Sequence, residues 1–106
     1  MSAYLEKLRE RSLSLPDAVE DYPWGDIVWK VGGKMFAATG PSGTSLTVKA
    51  TLDQQSALIQ LPHVSVAKYV GKYGWVTVDL ADDETLAFAL DLIDESYGQV
   101  AKKKRS

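Results

Sequence analysis

The chain has 106 residues, one domain on the usual size scale, and its 45% hydrophobic and 25% charged content are ordinary for a globular fold. It has no cysteine, which excludes a disulfide framework, thiol chemistry and Cys-type zinc sites. The net charge is −2, but KKKRS at the end holds four of the twelve bases, so eight bases face fourteen acids in the body and long-range attraction to a nucleic-acid backbone is not built in.

Ser2 to about Leu13 reads as a first helix, with Ser2 as N-cap and Leu5, Leu8 and Ser12, with Tyr4, as a thin inward stripe. MSAYLEKLRERS is charged and helical, not a secretory signal, and no apolar run approaches the roughly 20 residues of a membrane span. The expected location is therefore the cytoplasm. In SLPDAVEDYPWGD, Pro16, Pro23 and Gly25 predict a connecting loop whose Val19, Tyr22 and Trp24 fold back over the core edge.

Asp26 to Val31 predicts the first strand, with Ile27, Trp29 and Val31 on one face and Val28 and Lys30 on the other. Gly32-Gly33 is a hairpin signal, because such turns need positive φ. Lys34 to Thr39 follows as a second strand of ambiguous parity, with either Phe36 or Met35 and Ala37 outward. After the turn Gly40 to Gly43, Thr44 to Ala50 forms a third strand, with Thr47 and Lys49 opposite Leu46, Val48 and Ala50.

Thr51-Leu52-Asp53-Gln54 matches a capping box and starts a second helix, in which Leu58 and Ile59 point inward and which Pro62 stops. His63 to Gly74 reads as irregular, and Trp75 to Leu80 as the last strand. Asp82, Asp83 and Glu84 favour the start of a third helix, whose Leu86, Leu90, Ile93, Tyr97 and Val100 recur at helical spacing.

The resulting order, α-β-β-β-α-β-α, predicts an α+β two-layer sandwich: an antiparallel sheet with helices on one face only. The other face is left open, with Val28, Lys30, Thr47, Lys49, Trp75 and Thr77 as its members. The expected limits are a single domain over residues 1–101 and a basic tail at 102–106.

Most chemistry finds no support in the residues. The one histidine, His63, follows a proline in a loop, without a nearby acid or nucleophile pattern. Glu6 and Glu10, then Asp17, Glu20 and Asp21, lack the spacing of a calcium loop and read as solvated acids. Gly32-Gly33-Lys34 lacks Walker spacing, and Gly40 to Gly43 precedes a strand where a phosphate loop precedes a helix. No enzymatic activity, metal or cofactor is expected. The KKKR tail reads as a solubilising helix end, with a phosphate-seeking arm as the alternative.

Lys30, Lys49, Lys68, Lys72 and Trp75 form the one suggestive set. Lysines neutralise phosphates, and aromatic rings stack on bases or wedge against sugar. On the residues alone the competing reading is favoured: exposed strand lysines discourage edge pairing, and Trp75 leans over an edge and covers core.

Several stretches, taken in order, resemble the MmcQ/YjbR family: LPDAVEDYPWG, VGGKMFA, LTVKA before a capped helix, VGKYGWVTVDL and LIDESYGQV. The resemblance covers roughly residues 3 to 101. It implies a fold similar to the frataxin-like (CyaY-like) sandwich and a DNA-binding role through a "double wing" of strands and hairpins, without enzymatic activity. The family's lysines fall on Lys34, Lys49 and Lys72 and its tryptophan on Trp75, but Gly71 and Gly74 stand where the family often has asparagine and histidine. The expected partner is DNA, with a protein-interaction module as the alternative function, no membrane, and a monomeric state.

Overall fold

The computed structural model describes residues 3–40 and 42–102, with the side chains of Trp24 and Lys102 excepted. The proposed Ser2 cap, the Trp24 side chain and the tail beyond residue 102 lie outside the described residues. The helices are α1 (Ala3–Leu13), α2 (Leu52–Leu58) and α3 (Asp83–Lys102). The strands are β1 (Val19–Asp21), β2 (Ile27–Val31), β3 (Lys34–Thr39), β4 (Ser45–Val48), β5 (Val64–Val66) and β6 (Val76–Asp79). They form one antiparallel sheet in the order β1-β2-β3-β4-β6-β5. The α+β sandwich is as expected, with an added three-residue strand at each edge.

Alternation along each strand builds the core. Ile27, Trp29, Val31, Phe36, Leu46, Val48, Val64, Val76 and Val78 are buried with Leu5 and Leu8 of α1 and Leu86, Ala89, Ile93 and Val100 of α3. The helix α3 lies against β2, β3, β4 and β6, and α1 packs beside it. Burying a large apolar side chain contributes roughly 1.5–3 kcal/mol, so this layer carries the fold. Phe36 meets Tyr97 of α3 edge to face, with ring centroids 5.3 Å apart.

A bulge settles the parity of β3. Trp29 pairs with Ala37, yet Lys30 pairs with Met35, so Phe36 is the extra residue. Phe36 and Ala37 are both buried, while Met35 is half-exposed. The β3–β4 pairing runs over Ala37–Val48 and Ala38–Thr47, and beyond it a side chain bridges the two segments. The buried Ser96 Oγ of α3 donates to Phe36 C=O at 2.6 Å and accepts from Lys49 N–H at 3.0 Å. One hydroxyl thus replaces a ladder bond and ties α3 to two strands.

Helix α2 starts on the expected capping box: Thr51 Oγ1 accepts from Gln54 N–H at 3.1 Å, and Gln54 Oε1 accepts from Thr51 N–H at 3.0 Å. Leu58 is half-buried, but Ile59 is exposed, a correction that follows from the helix ending at Leu58, so that Ile59 belongs to its C-cap.

The segment before β2 corrects a second expectation. Val19 and Tyr22 are exposed and do not cover the core. Strand pairing sets their direction: Glu20 of β1 pairs with Trp29, so Glu20 turns inward and its neighbours turn out. Glu20 is the hub of this corner, with only 11% of its side chain exposed. It accepts from Trp29 Nε1 at 2.8 Å, from Arg9 Nε at 3.0 Å, and from the Tyr22 hydroxyl. Burial pushes the Glu20 carboxyl upward, but the hydrogen bonds from Tyr22, Arg9 and Trp29 outweigh it and hold its pKa below the ordinary 4.5.

A carboxylate with a depressed pKa stabilises the fold above its unfolded-state pKa, and the contribution is lost as pH falls through the folded value. Glu20→Gln is therefore expected to cost about 1–3 kcal/mol at pH 7. The difference from wild type should shrink below pH 4.5. Urea unfolding at pH 7 and pH 3 checks this, and an equal difference at both pH values would contradict it.

Candidate nucleic-acid interface

The sheet register brings the lysines to one end of the sheet. Lys30 pairs with Met35 and Val31 with Lys34 at the β2–β3 turn. Val48 pairs with Val76, and Val76 with Val66, so Lys49, Trp75 and Ala67 follow at the same end. Ala67 N–H bonds to Trp75 C=O at 3.2 Å and extends this line to Lys68. Lys72 lies in a 3-10 turn, Gly71–Tyr73, that leads into Trp75. With strands about 4.8 Å apart, the five strands from β2 to β5 spread this end over roughly 19 Å.

The individual lysines differ in their surroundings. Lys30 Nζ is paired with Asp21 at 2.9 Å, and this bond is the main cause of the lowered Asp21 pKa. Lys49 Nζ lies over the Trp75 ring, 5.9 Å from its centroid. Lys72 Nζ lies 5.3 Å from the Tyr73 ring centroid. Both geometries are cation–π contacts, and Lys49 also lines a hollow with Asp91 and Glu95 of α3. Lys34, Lys68 and Lys72 form no ion pair among the described residues.

Two members expected on the open face are buried. Trp75 is 8% exposed, enclosed in an open hollow of about 350 Å³ whose walls also include Lys34, Met35, Lys49 and Val100. Its ring supports Lys49 and leaves little surface for a base. Val28 is buried because the added strand β1 makes β2 an interior strand, with Asp21 on one side of Val28 and Ala38 on the other.

The rest of the open face is a hydroxyl-lined trough of about 450 Å³, with Ser45, Thr47, Ser65 and Thr77 on its walls and Lys68 and Asp79 beside them. Thr47 and Thr77 share a hydrogen bond of 2.9 Å across the strands. Lysine beside hydroxyl is a combination that phosphate oxygens accept.

The loop between β5 and β6 is tightly held at its base. Gln55 Nε2 of α2 donates to Gly71 C=O at 2.7 Å and to Trp75 C=O at 2.9 Å. Gly74 has φ +100, and a Cβ there would sit 2.2 Å from Ala50 C=O. A Cβ on Gly71 would meet Val66 Cγ1 at 2.3 Å. Gly74 is therefore dictated by its backbone and packing, whereas a side chain at Gly71 would need the exposed Val66 side chain to shift. The departure from histidine at Gly74 follows from how closely the loop approaches the start of α2.

Two features of the site are absent from the sequence reading. Tyr69 is 93% exposed and Tyr73 59% exposed, both in the loop read as irregular. The repeated Lys-Tyr step, Lys68-Tyr69 and Lys72-Tyr73, was the available signal. The second is charge segregation: residues 27–78 carry five lysines and a single acid, Asp53, so almost all the acids lie outside this segment. On α1 and α3, Arg9 is paired with Glu6 and Glu20, and Arg11 with Asp94.

His63 is exposed, and no group of three or more potential ligands capable of holding a metal ion occurs among the described residues. No helix of the described residues is long and apolar enough to cross a membrane. No curated protein matches the chain at a significant level. The YjbR family model matches residues 13–99, which takes in every element from the end of α1 to all but the last residues of α3. The chain belongs to the YjbR family.

Proposed function

We propose that the protein is a non-enzymatic nucleic-acid-binding domain that takes DNA phosphates on the lysine-bearing end of its open sheet face. The observation that carries this reading is the segregation of charge: Lys30, Lys34, Lys49, Lys68 and Lys72 gather at one sheet end, while the acids concentrate on α1, α3 and the segment before β2. A net charge of −2 does not oppose binding at Lys34, Lys68 and Lys72, which form no ion pair among the described residues. Lys49 is set on the Trp75 ring, and Thr47 and Thr77 supply hydroxyls in the trough that Lys68 borders. Lys30 contributes least, because Asp21 already engages it.

Reversing two of these charges tests the site. Lys49→Glu with Lys72→Glu is expected to lower duplex affinity on the order of 100-fold at low salt, because two phosphate contacts become repulsions. Fluorescence anisotropy of a labelled duplex measures it. Unchanged affinity would remove these lysines from the interface. A protein-interaction role is the second reading, favoured by the exposed Val66, Tyr69 and Tyr73 around the same loop.

A further inference from the structure

The loop Lys68–Tyr73 has a shape that phosphate binding alone does not explain. Val70 N–H bonds to Lys68 C=O at 2.6 Å, closing a three-residue turn with Tyr69 at its centre. Tyr69 has φ +66, in the left-handed region that a bulky side chain rarely occupies. A tight turn of this hand is rare and strained. Strain of this kind persists where the surroundings over-determine it. Here the surroundings are the Gln55 clamp on Gly71 and Trp75 and the close approach of Gly74 to α2. The outcome is a tyrosine that is 93% exposed.

Four residues on, Tyr73 presents a second ring at 59% exposure, with Lys72 over it. Lys68 stands next to Tyr69 and also lines the hydroxyl trough of Ser65, Thr47 and Thr77. No acidic residue occurs between Asp53 and Asp79 in the sequence, so this loop is basic throughout. Exposed rings alternating with ammonium groups, beside a hydroxyl-lined channel, are the components of a single-strand site: bases stack on the rings and phosphates lie on the lysines. A duplex keeps its bases stacked on one another and offers these rings nothing.

We infer that the Lys68–Tyr73 loop is a stacking platform for unpaired bases, with Tyr69 and Tyr73 as the rings and Lys68 and Lys72 on the flanking phosphates. This inference rests on the nucleic-acid reading above and names the form of nucleic acid that the site prefers. It turns the loop from a simple connection into the specificity-determining part of the interface.

The test is anisotropy of a labelled oligothymidylate and of a duplex of equal length, at matched salt, on the full chain. Wild type is expected to bind the single strand at least tenfold more tightly. Tyr69→Asn, chosen because asparagine tolerates the left-handed backbone, should weaken single-strand binding about tenfold and leave duplex binding unchanged. Tyr69→Phe should keep both affinities, since the ring remains. If Tyr69→Asn and Tyr73→Ala leave single-strand affinity unchanged while Lys49→Glu with Lys72→Glu still lowers duplex affinity about 100-fold, the stacking inference falls and the phosphate reading stands. Binding of neither form would overturn both, as would binding to anionic phospholipid vesicles with none to either oligonucleotide.

Discussion

Gly74→Ala is expected to destabilise the fold by about 3 kcal/mol or more, and Gly74→His by at least as much. Two independent causes add. The backbone at Gly74 has φ +100, where an L side chain is strained. The added Cβ would also stand 2.2 Å from Ala50 C=O, 3.1 Å from Ala50 C and 3.0 Å from Thr51 C, all backbone atoms that no rotamer change can move. Relief requires α2 and the β6 approach to separate, which would stretch the Gln55 bonds to Gly71 and Trp75. For a domain near this size, each kcal/mol lowers Tm by about 4–8 °C, so a fall above about 12 °C is expected in a thermal melt. A change under about 3 °C would show that the loop does not approach α2 as described. The same substitution at Gly33, where a Cβ would meet nothing within 4 Å, serves as the control for positive φ without a clash.

Ser96→Ala carries the second large effect, expected at about 2–4 kcal/mol. The hydroxyl is fully buried and serves two backbone groups, Phe36 C=O and Lys49 N–H. Removing it leaves both without that partner, at a desolvation cost of roughly 1–3 kcal/mol each. The volume lost is small, so little of the effect comes from a cavity. The consequence reaches the interface, because Lys49 is the residue whose backbone Ser96 fixes and whose ammonium rests on Trp75. Urea unfolding measures the loss, and a change below about 0.5 kcal/mol would mean that the strands re-form the missing ladder bond unaided. Ser96→Ala should also weaken DNA binding more than an equally destabilising core variant far from Lys49.

These two positions mark the boundary of what the sequence made legible. The helices were readable from caps and periodicity: Thr51 with Gln54 for α2, and the stripe from Leu86 to Val100 for α3. The strands β2, β4 and β6 were readable from alternation. β1 and β5 were not, because three residues give too short a pattern, and Glu20 in β1 turns a carboxylate inward where an apolar residue is expected. β3 was half-readable: the bulge turns Phe36 and its neighbour Ala37 to the same side, which no period of two can express. Ser96 lay in the middle of a helix, and nothing local distinguishes a serine that completes a sheet from one that faces water.

The candidate site was legible in its lysines and not in their setting. Lys30, Lys34, Lys49, Lys68 and Lys72 share one sheet end only through strand register, and register is a tertiary fact. Summing charge over the chain hid the contrast between residues 27–78 and the remainder. Trp75 drew attention as the conspicuous aromatic, yet it is enclosed, and the exposed rings are Tyr69 and Tyr73. Pattern reading favours the regular strand over the loop before it, and the loop's strained turn is visible only in its backbone.

The central claim is that phosphates are held at the lysine end of the sheet, and a salt series tests it most directly. A labelled mixed-sequence duplex is titrated with the full chain at several salt concentrations. The account predicts saturable binding whose log affinity falls linearly with log salt, with a slope of about −2 to −4, as expected for the release of counterions from two to four phosphates. A flat titration at the lowest salt, or an affinity that does not respond to salt, would contradict it.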